Sequence, residues 1–320
     1  MITVFTPTYN RAYILPKLYH SLKKQTNKNF EWLIIDDGST DETEHMVRHW
    51  IRENTLFSIR YLKQTNGGKH RAINRGVQLA VGELFFIVDS DDFLTEDAIE
   101  TIFNWEIDLK KEDKRFCGVA GERANIKNGQ ILGTSYCKEY IDATALERDE
   151  YNICGDKAEV FYTEILRKYP FPEIDGENFI TENVVWYRIA NDGYLMRWYN
   201  KPIYMCEYRN DGLTCQRDEI FAKNPKGYAL SVRERCKFQK ATVKEKIFAA
   251  YYFCDNVKMQ MSVHKAVQLL EFRNCYVLGV YAQKFNVFLH KLKHRQYEYN
   301  NARVCQLAGA IHNPVPAGAL

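Results

Sequence analysis

The first hundred residues alternate between short apolar runs and segments of helical periodicity, which few folds accommodate. "ITVFTP", "FEWLIIDDG", "FSIRYLKQ" and "ELFFIVDSDD" are rich in β-branched and aromatic residues and are predicted strands. Between them, "YILPKLYHSLKKQT" carries Ile14, Leu15, Leu18 and Leu22 at helical spacing. "STDETEHMVRHWIRE" puts Met46, Val47, Trp50 and Ile51 on one face, and Ser39 with Glu42 predicts a capping box at its start. "GGKHRAINRGVQLAVG", closed by Gly82, and "EDAIETIFNWEIDLKKED" complete the series. Strands that run apolar without alternation are buried on both faces. The expected class is therefore α/β, with a mixed, mostly parallel sheet covered by helices.

Beyond this, residues 115–224 are less regular. "FCGVAGERA" is strand-like, "KNGQ" a polar turn and "AEVFYTEILRKY" a predicted helix, followed by strand-like "LMRWYN" and "PIYMCEYRN". From Pro225 the pattern is helical, with no further proline until Pro314. Two units are expected, a ligand-binding catalytic unit over 1–224 and a helical region over 225–320. With 46% hydrophobic residues in 320, the chain can bury a large core and is not disordered by composition. No apolar run approaches the roughly 18 residues that span a bilayer, and "MITVFTPTYN" lacks a basic n-region, so no secretory signal is expected. The nine cysteines form no C-x-x-C pair, which points to reduced thiols in the cytoplasm and away from structural zinc.

In sheets of this class ligands bind beyond the carboxyl ends of the strands. Those ends are "TPTYN", "DDGSTD", "QTNGGKH" and "DSDD". Asp89, Asp91 and Asp92 are three carboxylates in four positions at the mouth of an apolar strand, and they repel one another without a counter-charge. Hard oxygen ligands on a tight loop suit Mg²⁺ or Mn²⁺ bridging phosphate oxygens. An exposed acidic helix start explains Glu96 and Asp97, but not Asp89, which still belongs to the strand end. Asp36 and Asp37 can accept from a base N–H or from ribose hydroxyls, or can simply close a turn. Gly67 and Gly68 let backbone approach a ligand, with Lys69, His70 and Arg71 beside them. Thr6, Thr8 and Tyr9 offer hydroxyls and an aromatic face. Together these features describe a nucleotide-diphosphate pocket. Neither G-x-G-x-x-G nor a Walker A loop is present.

"TPTYNRAYILPKLYHSL", "FEWLIIDDGSTDET", "NGGKHRAINRGV" and "LFFIVDSDD", in that order and spacing, resemble the family 2 glycosyltransferases. The resemblance covers about residues 1–215. It implies the GT-A fold and inverting transfer from a nucleotide-diphosphate sugar, with UDP the expected nucleotide. "GDKAEVFYTEIL", "GENFITENVVWYRI" and "YEYRNDGLT" look like members that build bacterial capsule, lipopolysaccharide and teichoic-acid sugars. The resemblance further implies that Thr6, Pro7, Thr8, Tyr9, Asn10, Asp36 and Asp37 line the nucleotide pocket, with Asp37 on the uracil edge. Gly68 and Lys69 would lie beside base and ribose. Asp89 would reach ribose, with Ser90 between the DXD acids, and Asp91 would hold the metal, with Asp92 a rival for that role. The family has Glu-Asp where this chain has Glu182-Asn183, which leaves Glu182 as the expected base. Arg209 would reach the diphosphate.

From Lys226 to the end there are fifteen Lys and Arg against five Asp and Glu, interleaved with aromatic residues. This suits attachment to an anionic membrane surface carrying a lipid-linked acceptor. An ordinary helical subdomain or an oligomer contact is equally compatible, and nothing resembles a nucleic-acid module. The expected place is the cytoplasm, with peripheral attachment at the inner face of the plasma membrane left open. Two functions follow from the pattern: a metal-dependent glycosyltransferase, or a catalytically silent nucleotide-sugar-binding scaffold.

Overall fold

The computed structural model describes residues 1–134, 136–207, 216–257 and 261–285. The alternating first part folds as β1 (Ile2–Thr8), α1 (Leu15–Lys24), β2 (Phe30–Asp36), α2 (Thr43–Glu53), β3 (Ser58–Lys63), α3 (Lys69–Leu79) and β4 (Leu84–Ile87). There follow β5 (Phe93–Leu94), α4 (Ala98–Leu109), β6 (Phe116–Asn125), β7 (Tyr140–Ala143), β8 (Lys157–Tyr162), α5 (Thr163–Lys168), α6 (Asn183–Asn191) and β9 (Leu195–Cys206). The helical part is α7 (Arg217–Lys223), α8 (Pro225–Phe238), α9 (Val243–Asn256) and α10 (Val263–Leu269).

One sheet runs β3-β2-β1-β4-β8-β6-β9-β5, with β7 on β9. Its first four strands are parallel, and β8 pairs antiparallel with both β4 and β6. Side chains alternate between faces along a strand. On one face Val4, Trp32, Ile34 and Phe86 pack with Leu18 of α1, Trp50 of α2 and Ile102 of α4. On the other, Phe5, Leu33, Ile35 and Phe85 pack with Ile73 of α3 and Val185 of α6. A third cluster, including Phe253, Val263 and Val267, sits in the helical part. Among the described residues no helix is long and apolar enough to cross a membrane, and the described cysteines are unpaired.

Three sequence expectations need correction. The predicted helix over "AEVFYTEILRKY" is strand β8 up to Tyr162 and only then the short α5. Val160, Phe161 and Tyr162 suit a pleated, buried surface, and β8 is locked between β4 and β6. "LMRWYN" and "PIYMCEYRN" contribute to one strand, β9, whose Pro202 falls at a register shift against Glu122 where a ladder bond is dispensable. The Ser39/Glu42 capping box does not form. Helix α2 starts at Thr43 with no side-chain cap, because Ser39 Oγ accepts instead from Asn10 N at 2.8 Å. A capping box closes at α9, between Thr242 and Glu245.

Candidate active site

Parallel register brings the strand ends to one edge. Thr8 lies beside Asp36, Asp36 beside Lys63, and Val88 N donates to Phe5 O at 2.8 Å. Along this edge Asn10, in the left-handed region at φ 52°, ties two loops. Its Oδ1 accepts from Thr40 N at 2.8 Å while its N donates to Ser39.

The acids at the second strand end serve the fold first. Asp36, fully buried, accepts from Ser39 N at 2.7 Å and from the Tyr61 hydroxyl. Asp37 accepts from Gly67 N at 3.0 Å, Gly68 N at 2.7 Å and Gln64 Nε2 at 2.8 Å. It fastens the glycine loop, and three of its roughly four acceptor sites are used there. Thr6 is likewise a core residue, its hydroxyl accepting from the Trp32 indole at 3.0 Å. Thr8 Oγ1 is buried without a hydrogen-bond partner among the described residues, and Tyr9 is half exposed at the mouth. Pro7 lies between Thr6 and Thr8 in β1. Gly68 has φ 95°, and a Cβ there would fall 1.8 Å from Asn178 O, so glycine is required where this loop meets the segment before α6.

Lys69, the first residue of α3, bridges the strand end and that segment. Its Nζ lies 2.6 Å from Asp89 Oδ1 and 2.9 Å from Glu182 Oε1. Burial alone would lower the ammonium, but the two carboxylates outweigh it and hold it above the usual lysine range. Glu182 stands at the N-cap position of α6, yet its side chain makes no capping bond. It is turned toward Lys69 instead, so it is more than an acid in a first helical turn. Asn183 beside it is exposed.

The acidic cluster divides by counter-charge. Burial pushes Asp89 up, but Lys69 and Arg123 more than reverse this and its carboxyl is held below the usual range. Asp91 is raised by burial and by Asp89. Asp92, 7% exposed, is pushed up to about 8 by burial, then by Asp89 and Asp91. Ser90 between them is buried. Two carboxylates thus stand under like-charge stress beside one that is paired.

Sequence reasoning missed the rest of this surface. Arg123 Nη1 lies 3.9 Å from Asp89, and its guanidinium stacks 4.3 Å from the centre of the Tyr204 ring. The Tyr204 hydroxyl accepts from Asp89 N at 2.9 Å. Glu159 of β8 is pushed up to about 7 by burial, against Arg148 and Arg123, with Glu182 adding to the rise. Charged residues inside otherwise apolar strand runs were the available signal, since each needs a buried partner. Arg209 lies outside the described residues.

Comparison with known proteins places this geometry among relatives. The model of Glycosyl transferase family 2 matches residues 3–114, about a third of the chain. Glycosyltransferase GlyG of Streptococcus pneumoniae serotype 4 is 38% identical over 104 residues, covering 32% of this chain and 34% of that protein. The chain thus spans about a third of that relative's length. Two solved structures share the fold. S. aureus TarS 1–349 in complex with UDP-GlcNAc has a TM-score of 0.57 at 18% identity, over 88% of this chain and 92% of that one. Mannosyltransferase PcManGT from Pyrobaculum calidifontis, in complex with GDP-Man and Mn²⁺, has a TM-score of 0.52 at 18% identity, over 98% of this chain and 86% of that one.

Proposed function

We propose that this chain, whose residues 3–114 match the model of Glycosyl transferase family 2, is an inverting, metal-dependent glycosyltransferase. Its donor is a nucleotide-diphosphate sugar, of the UDP class, and its acceptor a hydroxyl of a glycan or lipid-linked glycan in bacterial surface polysaccharide synthesis. One observation carries the reading: Lys69 joins Asp89 at the end of β4 to Glu182 at the start of α6, at 2.6 and 2.9 Å. The base candidate and the acidic strand end therefore face one space, beside the glycine loop held by Asp37.

Inversion needs one in-line displacement. The acceptor oxygen bonds to the anomeric carbon as the carbon–oxygen bond to diphosphate breaks. The bonding pair leaves with diphosphate, and the acceptor's proton goes to the Glu182 carboxylate. Lys69 supplies the positive charge that keeps Asp89 and Glu182 together in one site. Asp89 and the Tyr9 ring flank the ribose and base.

A divalent cation fits the remaining acids. Asp91 and Asp92 are raised by burial and neighbouring charge, and a cation in place of their protons relieves that stress. Among the described residues no group of three or more His, Cys, Asp or Glu is arranged to hold a metal. One or two carboxylates with diphosphate oxygens completing the shell is the habit of Mg²⁺ and Mn²⁺. When bound, the cation neutralises charge on the leaving diphosphate.

The test is UDP binding with and without Mn²⁺, then UDP-sugar turnover, for the wild type and Glu182→Gln. The expected result is metal-dependent UDP binding by both proteins and turnover by the wild type alone. Binding of UDP with no sugar released from any donor or acceptor offered would instead indicate a nucleotide-sugar-binding scaffold.

A further inference from the structure

Glu182 ends a stretch from Pro170 that has no regular secondary structure, and such a stretch does not hold a base in place unaided. Two helices grip it. On the nucleotide side, α3 supplies Arg71, whose guanidinium donates to Glu177 O at 2.9 Å and Ile174 O at 3.0 Å. Asn74 adds a pair of bonds with Phe171, at 2.9 and 2.8 Å. The second grip comes from the C-terminal helical part.

The Glu177 carboxylate, 5% exposed, accepts from Lys226 N at 2.8 Å and Gly227 N at 2.7 Å. These are two of the unsatisfied amides of the first turn of α8. Asn178 N donates to Asn224 Oδ1 at 2.7 Å. A Cβ on Gly227 would fall 2.5 Å from Phe179 O, so α8 lies directly on the segment. One and a half turns into α6, Arg188 binds Glu234 of α8 with three bonds of 2.6 to 3.1 Å. The helix that begins beside Glu182 is therefore tied to α8 both before its start and along its length.

We propose that α8 is a positioning element for the transfer step: through Glu177, Asn224 and the Arg188–Glu234 pair it fixes the segment that aims Glu182. The helical part is then a working portion of the active site and not a separable attachment. The inference rests on the role of Glu182 proposed above. Glu177 touches neither substrate nor reacting atoms and acts through Glu182.

Three variants of the full chain test this: Glu177→Ala, Asn224→Leu and Asn224→Asp. A misplacement of about 1 Å at a reacting group lowers turnover by up to about a hundredfold. The expected result for Glu177→Ala and Asn224→Leu is kcat lower by about ten- to a hundredfold. UDP affinity in Mn²⁺ stays at the wild-type value, because the α3 side of the grip is untouched. Asn224→Asp keeps the acceptor for Asn178 N and restores kcat. Amide exchange of residues 177–190 becomes faster in the first two variants and not in the third. Wild-type kcat in Glu177→Ala, or a fall matched by an equal loss of UDP affinity, overturns the proposal. If Glu177→Ala fails to fold, the two Asn224 variants decide the matter on the same readouts. Absence of turnover in the wild type overturns the reading of Glu182, whereas unchanged exchange at 177–190 overturns the clamp itself.

Discussion

Asp92→Asn separates electrostatic stress from folding. The ordinary carboxyl value is 3.8 and that of Asp92 in the fold is about 8. In the unfolded chain the group ionises near its ordinary value, while in the fold it keeps its proton until pH approaches 8. Between those limits folding takes up a proton, so the stability of the metal-free protein falls as pH rises, by about 1.4 kcal/mol per unit at most. From the ordinary value to pH 7 the limit is roughly 4 kcal/mol, and water entry and side-chain relaxation reduce it. The asparagine is neutral and nearly isosteric. Without metal it is expected to stabilise the fold at pH 7 by about 2–4 kcal/mol, a rise in Tm of roughly 5–12 °C. At pH 4 the gain is expected to shrink to about 0.5 kcal/mol, because the unfolded carboxyl, at its ordinary 3.8, is then only about half ionised while the folded one holds its proton. Thermal melts at pH 4, 7 and 8 read this directly. Mn²⁺ supplies the complementary arm. If the cation displaces the Asp92 proton, wild-type affinity rises about tenfold per pH unit below 8, and the variant loses that slope. Metal-free melts of variant and wild type with the same pH dependence would refute the reasoning.

Three further outcomes follow from the same geometry. Lys69→Met removes the counter-charge 2.9 Å from Glu182 and leaves Asp89 only Arg123 at 3.9 Å; a loss of about 1–3 kcal/mol at pH 7 is expected. An undiminished Tm at pH 7 would show that the bridge carries no such load. Asp37→Ala leaves the Gly67 and Gly68 amides without their acceptor, so stability should drop by about 1–3 kcal/mol and UDP affinity with it; retained UDP affinity argues against the loop's part in donor binding. Attachment of the basic second half to an anionic membrane surface, one of the readings its sequence left open, predicts co-sedimentation with anionic liposomes that weakens as salt rises. Equal indifference to anionic and neutral vesicles defeats that assignment.

The parallel half of the sheet was legible because its code is local: each apolar run and each helical face is complete within about fifteen residues. The later strands were not, because β8 is a strand only by virtue of lying between β4 and β6, partners distant in sequence. Arg123 and Tyr204 escaped for the same reason, since they meet Asp89 only through the later strands β6 and β9. The site residues themselves divide by strand phase, and this part could have been read in advance. Phe5, Leu33, Ile35, Phe85 and Ile87 all face α3 and α6. Extending the alternation by two positions places Asp37 and Asp89 on that face, where Gly68 and Lys69 meet them. Thr6 and Asp36 fall one residue out of phase, toward Trp32 and Tyr61, and so serve the core. A one-residue step turns a strand-end carboxylate from the side of Gly68 and Lys69 to the side of Trp32 and Tyr61. Motif position shows which loops converge, and strand phase selects which of their side chains can take part in chemistry.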